Sequence, residues 1–209
     1  MHEEKGWGAE PGPGGAAVAP GRLHAVALLT VGHGTLEAGP FAALLRGAEV
    51  VSLIDVRTAP GSRRNPAFGR EGLQEWLPAA GVAYRWEPRL GGFRKGRADS
   101  PNTGLRHASF RAYADHMEGQ EFSVALGEVL EEVRSRGTTG GHLAVMCAES
   151  LWWRCHRRLI ADAAELGGGI AVDHLMHDGR LTAHRPTPGA RLVGPGRLVY
   201  DVEPSDARR

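Results

Sequence analysis

Twelve consecutive residues, Met146 to Arg157, hold both cysteines of this chain together with Glu149, Arg154, His156 and Arg157. A thiol near a helix N-terminus and beside cations is the usual arrangement for a nucleophilic or redox cysteine, because fixed N–H groups and positive charge favour the thiolate. Glu149 could handle a proton, and His156 and Arg157 could hold an anionic part of a substrate. Three further groups have the right chemistry to join them: His33 between two glycines, and Asp55 with Arg57 two residues on.

The elements that must position these residues are legible as patterns. Leu143 to Met146 reads as a buried strand, and Leu159, Ile160, Ala163, Ala164 and Leu166 repeat at helical spacing before Gly167. Cys147 therefore sits where a strand ends and a loop turns into a helix. Cys155 extends the helical stripe by four, eight and eleven residues, so it is expected in the core. Cys147, at the loop entrance, is expected to react faster with thiol reagents. Earlier strands are expected at Val26–Val31, Val50–Ile54 and Val82–Trp86, and later ones at Ile170–Leu175 and Arg197–Val202, the last as an edge. Helices are expected around Phe41–Leu45, Leu73–Leu77 (stopped by Pro78 and Gly81), Phe110–Met117 and Phe122–Val133. Alternation of this kind means an α/β fold, an open and mostly parallel sheet with helices on both faces in a single domain. In such folds the C-terminal strand ends meet in one crevice, and His33, Asp55, Arg57 and Cys147 all lie there.

The 209 residues suffice for one core, and 42% hydrophobic with 23% charged content is that of a soluble globular protein. The first twenty-one residues, rich in Gly, Pro and Ala, read as a disordered leader with no export signal, and 204–209 as a flexible tail around a domain at 22–203. No run reaches the ~20 apolar residues a membrane helix needs, so the expectation is cytoplasmic. A net charge of +1 gives no general pull towards nucleic acid or membrane.

These residues resemble the domain of unknown function 488 family, from about Leu29 to Asp201. The likeness rests on Thr30-Val31-Gly32-His33, Asp55-Val56-Arg57 with Pro60, Ser62-Arg63, Pro66 and Phe68, then Tyr84, Leu90-Gly91-Gly92 and Tyr113. It continues through Met146-Cys147-Ala148-Glu149, Cys155-His156-Arg157, His174, Asp178-Gly179 and His184. Trp152 and Trp153 stand where similar chains often carry a proline. The resemblance implies fold and names no reaction. A weaker likeness is to rhodanese-type sulfurtransferases, which also pair an Asp-x-Arg strand end with a cysteine loop. There Glu149 is out of place, since a carboxylate near the thiol would repel an anion and raise the thiol pKa.

Each residue has a plain alternative. Asp55 and Arg57 could be a structural ion pair, His33 a loop histidine bonded to a carbonyl, and Trp152 and Trp153 packing residues and not a platform for a planar ligand. Cys155 and His156 would diverge by about 100° on a helix, which argues against a closed metal site, so no metal is assigned. The leading reading is a thiol-dependent transferase or hydrolase, or a thiol redox enzyme. Cys147, Glu149, His33 and Asp55 would be catalytic. Arg57, Arg63, Gly91, Gly92, Tyr113, His156 and Arg157 would bind a small, partly anionic, nucleotide-like substrate. The alternatives are a non-catalytic nucleotide or nucleic-acid binding module, with nucleic acid not favoured, and a rhodanese-like sulfurtransferase. No cofactor or oligomeric state can be named from the sequence.

Overall fold

The computed structural model describes residues 26–61, 65–137 and 140–201. The expected leader and tail, and Arg63, lie outside them.

Five short runs become parallel strands, buried on both faces except in β3 at the sheet edge: β1 (Ala27–Gly32), β2 (Val50–Asp55), β3 (Ala83–Trp86), β4 (His142–Cys147) and β5 (Ala171–Leu175). A sixth, β6 (Leu181–Ala183), runs antiparallel at the edge, and the order is β3-β2-β4-β1-β5-β6. The sheet is thus mostly parallel and mixed, as the alternation of strand and helix patterns predicts.

Side chains alternate between faces along each strand, and the helices divide accordingly. Leu29, Val31, Leu53, Ala144 and Met146 pack with Phe41 and Leu45 of α1 (Ala38–Gly47) and Leu73 and Leu77 of α2 (Arg70–Ala79). On the other face, Leu28, Ile54, Val145 and Cys147 pack with α3 (Ala108–Met117), α4 (Gln120–Arg136) and α5 (Arg157–Asp162). A π-turn over Ala163–Gly167 follows α5.

One expectation is corrected. The strand expected at Arg197–Val202 is not an edge of the main sheet. Instead β8 (Arg197–Tyr200) pairs antiparallel with β7 (Ala190–Gly194) in a separate ribbon, because Gly194-Pro195-Gly196 is a hairpin turn between them. The residues of β7 show no buried alternation, since Arg191, Leu192 and Val193 are exposed. α2 ends at Ala79, between the expected stops Pro78 and Gly81.

Candidate functional site

The register of the central strands brings the expected residues to one edge. Gly32 lies opposite Cys147, and Asp55 opposite Met146. Past the strand ends, His33 N–H donates to the Cys147 carbonyl (3.1 Å) and Val56 N–H to that of Met146 (2.9 Å). At that edge, alternation sends neighbouring side chains to opposite faces of the sheet. Asp55 and His33 point with Met146 towards α1 and α2, and Cys147 points towards α3, α4 and α5. Two clusters result.

On the cysteine side, the chain leaves β4 through Ala148–Leu151 and makes a 3-10 turn at Trp152–Arg154. It passes Cys155 in an extended conformation (φ −122°, ψ 153°) before α5 begins. Cys155 is therefore not the start of the helical stripe. The extended backbone turns its side chain back on the strand end, where its Sγ lies 2.7 Å from Sγ of Cys147. Both thiols are free, and both are buried, at 3% and 6% exposure. Cys147 thus lacks the accessible position expected for it. The backbone fold also undoes the expected divergence of Cys155 from His156, whose Nδ1 lies 3.4 Å from the Cys155 sulfur. His156 Nε2 lies 3.0 Å from the Val56 carbonyl. A carbonyl accepts only, so Nε2 carries the hydrogen and Nδ1 is free to take a thiol proton.

Arg157 completes this cluster. It is the bulkiest fully buried side chain of the described residues, at 1% exposure. Its Nε donates to Cys147 Sγ (3.0 Å) and its Nη2 to the Glu149 carbonyl. Cys147 and Cys155 lead the groups that hold its charge in place. A buried guanidinium without a counter-charge is costly, which favours the thiolate form of this pair. Burial opposes ionisation of both thiols. Against that, the S–H of the other cysteine, His156 and Arg157 pull Cys155 well below the ordinary thiol range, and Cys147 is held well above it. The pair loses one proton readily and keeps the second. If the charge passes to Cys147, Arg157 Nε–H and the Glu149 N–H (3.3 Å) already point at that sulfur.

The remaining expected binding residues back this cluster. The Tyr113 ring lies 5.0 Å from that of His156, and its hydroxyl donates to the Leu90 carbonyl (2.7 Å). A Cβ on Gly92 would stand 3.0 Å from His156 Nδ1, and one on Gly91 2.6 Å from Thr58 Oγ1, so both glycines serve close approach. Gly32 has even less room: a Cβ there would fall 1.8 Å from the Glu149 carbonyl oxygen and 2.8 Å from Arg157 Nη2. The Glu149 side chain is exposed, and its carboxylate accepts the Leu151 N–H (3.2 Å), turned away from the sulfurs.

On the opposite face, Asp55 binds Arg57 through Nε (2.8 Å) and Nη2 (2.6 Å) and accepts the Tyr84 hydroxyl (2.9 Å). Arg57 Nη2 also donates to the Phe68 carbonyl (2.8 Å), and Nη1 lies 3.4 Å from His33 Nε2. The guanidinium is engaged on every side by its own fold. His33 stacks on Phe68 with centroids 4.3 Å apart.

Burial, then Arg57, lowers the His33 pKa from 6.5 to about 4. The unfolded chain therefore takes up a proton that the fold refuses as pH falls from 6.5 towards 4. Stability should drop over that interval by at most about 1.4 kcal/mol per pH unit for each such histidine. Burial and His184 depress His174 in the same direction. An NMR titration should leave the His33 ring resonances flat down to about pH 5 while the denaturation midpoint falls. A His33 midpoint near 6.5 would contradict this.

A third group joins Thr30, His174 and His184, which carry part of the family resemblance, to Asp162. Thr30 Oγ1 lies 2.7 Å from His174 Nδ1, His174 Nε2 3.0 Å from His184 Nδ1, and His184 Nε2 2.8 Å from Asp162 Oδ1. Asp162 also accepts the Thr187 N–H (2.8 Å) and the Tyr200 hydroxyl (3.0 Å). One assignment satisfies every member: Thr30 donates to His174, neutral His174 to His184, and neutral His184 to the carboxylate. Trp152 covers the chain, stacked on His174 at 3.9 Å, so it packs on the sheet. Trp153 stays 37% exposed beside it. The signal in the sequence was Asp162 itself, a lone acid in the run Ile160–Ala164.

One surface hollow lies beside Arg70 and Trp76 and another beside Arg106, Phe110 and Arg158, and neither of these is lined by a cysteine. No described helix is long and apolar enough to cross a membrane.

A family model described as "Domain of unknown function DUF488" matches residues 38–164, more than half of the chain. That span includes both cysteines, Asp55, Arg57, Tyr113 and Arg157. Neither the curated proteins nor the solved structures contain a significant match.

Proposed function

Since the chain belongs to the DUF488 family, a domain of unknown function, its chemistry must be read from the site, and we propose that it is a two-thiol redox enzyme. The observation that carries this reading is a buried guanidinium whose charge is met by two touching thiols. The two sulfurs touch, which suits a pair that cycles between dithiol and disulfide better than a lone nucleophile. Cys155, with His156 to take its proton, is the attacking thiolate. Cys147 is the redox partner, held by Arg157 and the Glu149 N–H.

Asp55, Arg57 and His33 position the strand ends from the other face. With Arg57 already bound to Asp55 and Phe68, and Arg157 to sulfur, the geometry favours a small substrate over a nucleotide. Sulfur transfer is the second reading. The carboxylate of Glu149 faces away from the thiol, which removes the repulsion expected from the sequence, but Cys155 occupies the position an outer persulfide sulfur would need.

Equilibration of the reduced protein with thiol–disulfide buffers tests the proposal. An internal Cys147–Cys155 disulfide is expected to form within the span of known redox dithiols, about −120 to −270 mV. Peptide mapping would identify it. Two thiols that stay free across that span would refute the reading.

A further inference from the structure

Resting on the two-thiol reading, we propose that the oxidant this pair is built for is a small hydroperoxide, which it reduces to an alcohol. Both sulfurs are almost fully enclosed. A protein disulfide cannot reach such a site, and a small-molecule disulfide reaches it slowly, enough to close the pair at equilibrium but not in turnover. A hydroperoxide needs to bring only two oxygen atoms to one sulfur. Its reduction also releases an alkoxide, and an oxyanion beside the sulfurs would meet the one buried cation of the cluster, Arg157.

The steps balance. His156 Nδ1 takes the Cys155 proton, leaving a thiolate. This sulfur attacks the terminal oxygen of the hydroperoxide, an S–O bond forms, and the O–O bond breaks. The departing alkoxide takes the Cys147 S–H proton and leaves as the alcohol. Cys155 is then a sulfenic acid, and Cys147 is a thiolate held by Arg157 Nε–H and the Glu149 N–H. That thiolate attacks the Cys155 sulfur, which it already touches, and displaces hydroxide. The hydroxide takes the proton stored on His156 and leaves as water. Two thiols and one hydroperoxide have become a disulfide, an alcohol and water, and a small external thiol restores the dithiol.

The 2.7 Å separation of the sulfurs distinguishes this site from one that must unfold locally to resolve a sulfenic acid. Ionisation gives a larger reactive fraction than in free cysteine, but a less basic thiolate gives back much of that gain. The acceleration therefore has to come from Arg157 at the leaving oxygen, where one fixed donor is worth about 100-fold.

The test mixes fully reduced protein at neutral pH with hydrogen peroxide, with an alkyl hydroperoxide, and separately with oxidised glutathione. The expected result is consumption of both thiols by one equivalent of hydroperoxide, about 100-fold faster than free cysteine, with an internal disulfide as product. If the hydroperoxides react no faster than with free cysteine while thiol–disulfide buffers still close the disulfide, the substrate class is wrong and the two-thiol reading stands. If no oxidant closes it, both fail. In Cys147→Ser the reaction should stop at a sulfenic acid on Cys155, trapped by dimedone. A trapped sulfenic acid in Cys155→Ser and none in Cys147→Ser would overturn the assignment of attack to Cys155. The wild-type comparison stands by itself should either variant fail to fold.

Discussion

Arg157→Met is expected to raise the first ionisation of the cysteine pair and leave the fold intact. The guanidinium is 3.0 Å from Cys147 Sγ and favours the charged form of both thiols. Methionine has similar reach and fills the same space, and the thiolate left without its partner takes up a proton instead of staying as an unpaired buried charge. The chief structural loss is the donor to the Glu149 carbonyl. Thiolate absorbance followed against pH measures the shift. An unchanged titration in a folded variant would show that the pair is not ionised by Arg157, and the thiolate argument would fall. Arg157→Lys should recover part of the effect, since it keeps the charge and loses the planar fork.

The largest effect on stability is expected elsewhere, at Asp162→Ala. This carboxylate is fully buried and accepts from His184, from the Thr187 N–H and from the Tyr200 hydroxyl. Its removal orphans three donors at once, at roughly 1–3 kcal/mol each, and breaking such a buried network typically costs about 3–5 kcal/mol. The loss would be felt first in the ribbon of β7 and β8, which Tyr200 ties to α5. Urea denaturation at neutral pH reads the change. A loss below about 1 kcal/mol would mean that water replaces the carboxylate and that the chain of histidines contributes little.

These two residues mark what the sequence discloses and what it hides. The strands that end at Gly32, Asp55 and Cys147 are near-continuous apolar runs, so the sheet and the edge where polar residues gather could be read directly. Which face each polar group takes depends on register: one residue separates Asp55 from Val56, or Met146 from Cys147, and that step moves a side chain across the sheet. The pairing of Cys155 with Cys147 was hidden for a different reason. Leu159 and Ala163 make Cys155 look like one more position of a helical stripe, and nothing in Trp152-Trp153-Arg154 announces a 3-10 turn that leaves the next residue extended. The bonds from Asp162 to His184 and Tyr200 span 22 and 38 residues and exist only once the sheet has formed.

The alternation along β1 carries a consequence for how this chain can vary. Leu28, Thr30 and Gly32 serve one side of the sheet, and Leu29, Val31 and His33 the other. Loss of a single residue within β1 would exchange the two sets. Leucine would then stand where Thr30 meets His174, and a side chain would be forced into the gap that only Gly32 leaves beside Glu149 and Arg157. Insertions and deletions should therefore be tolerated in the connections and refused in this strand, where changing the length by one is a heavier change than any point substitution.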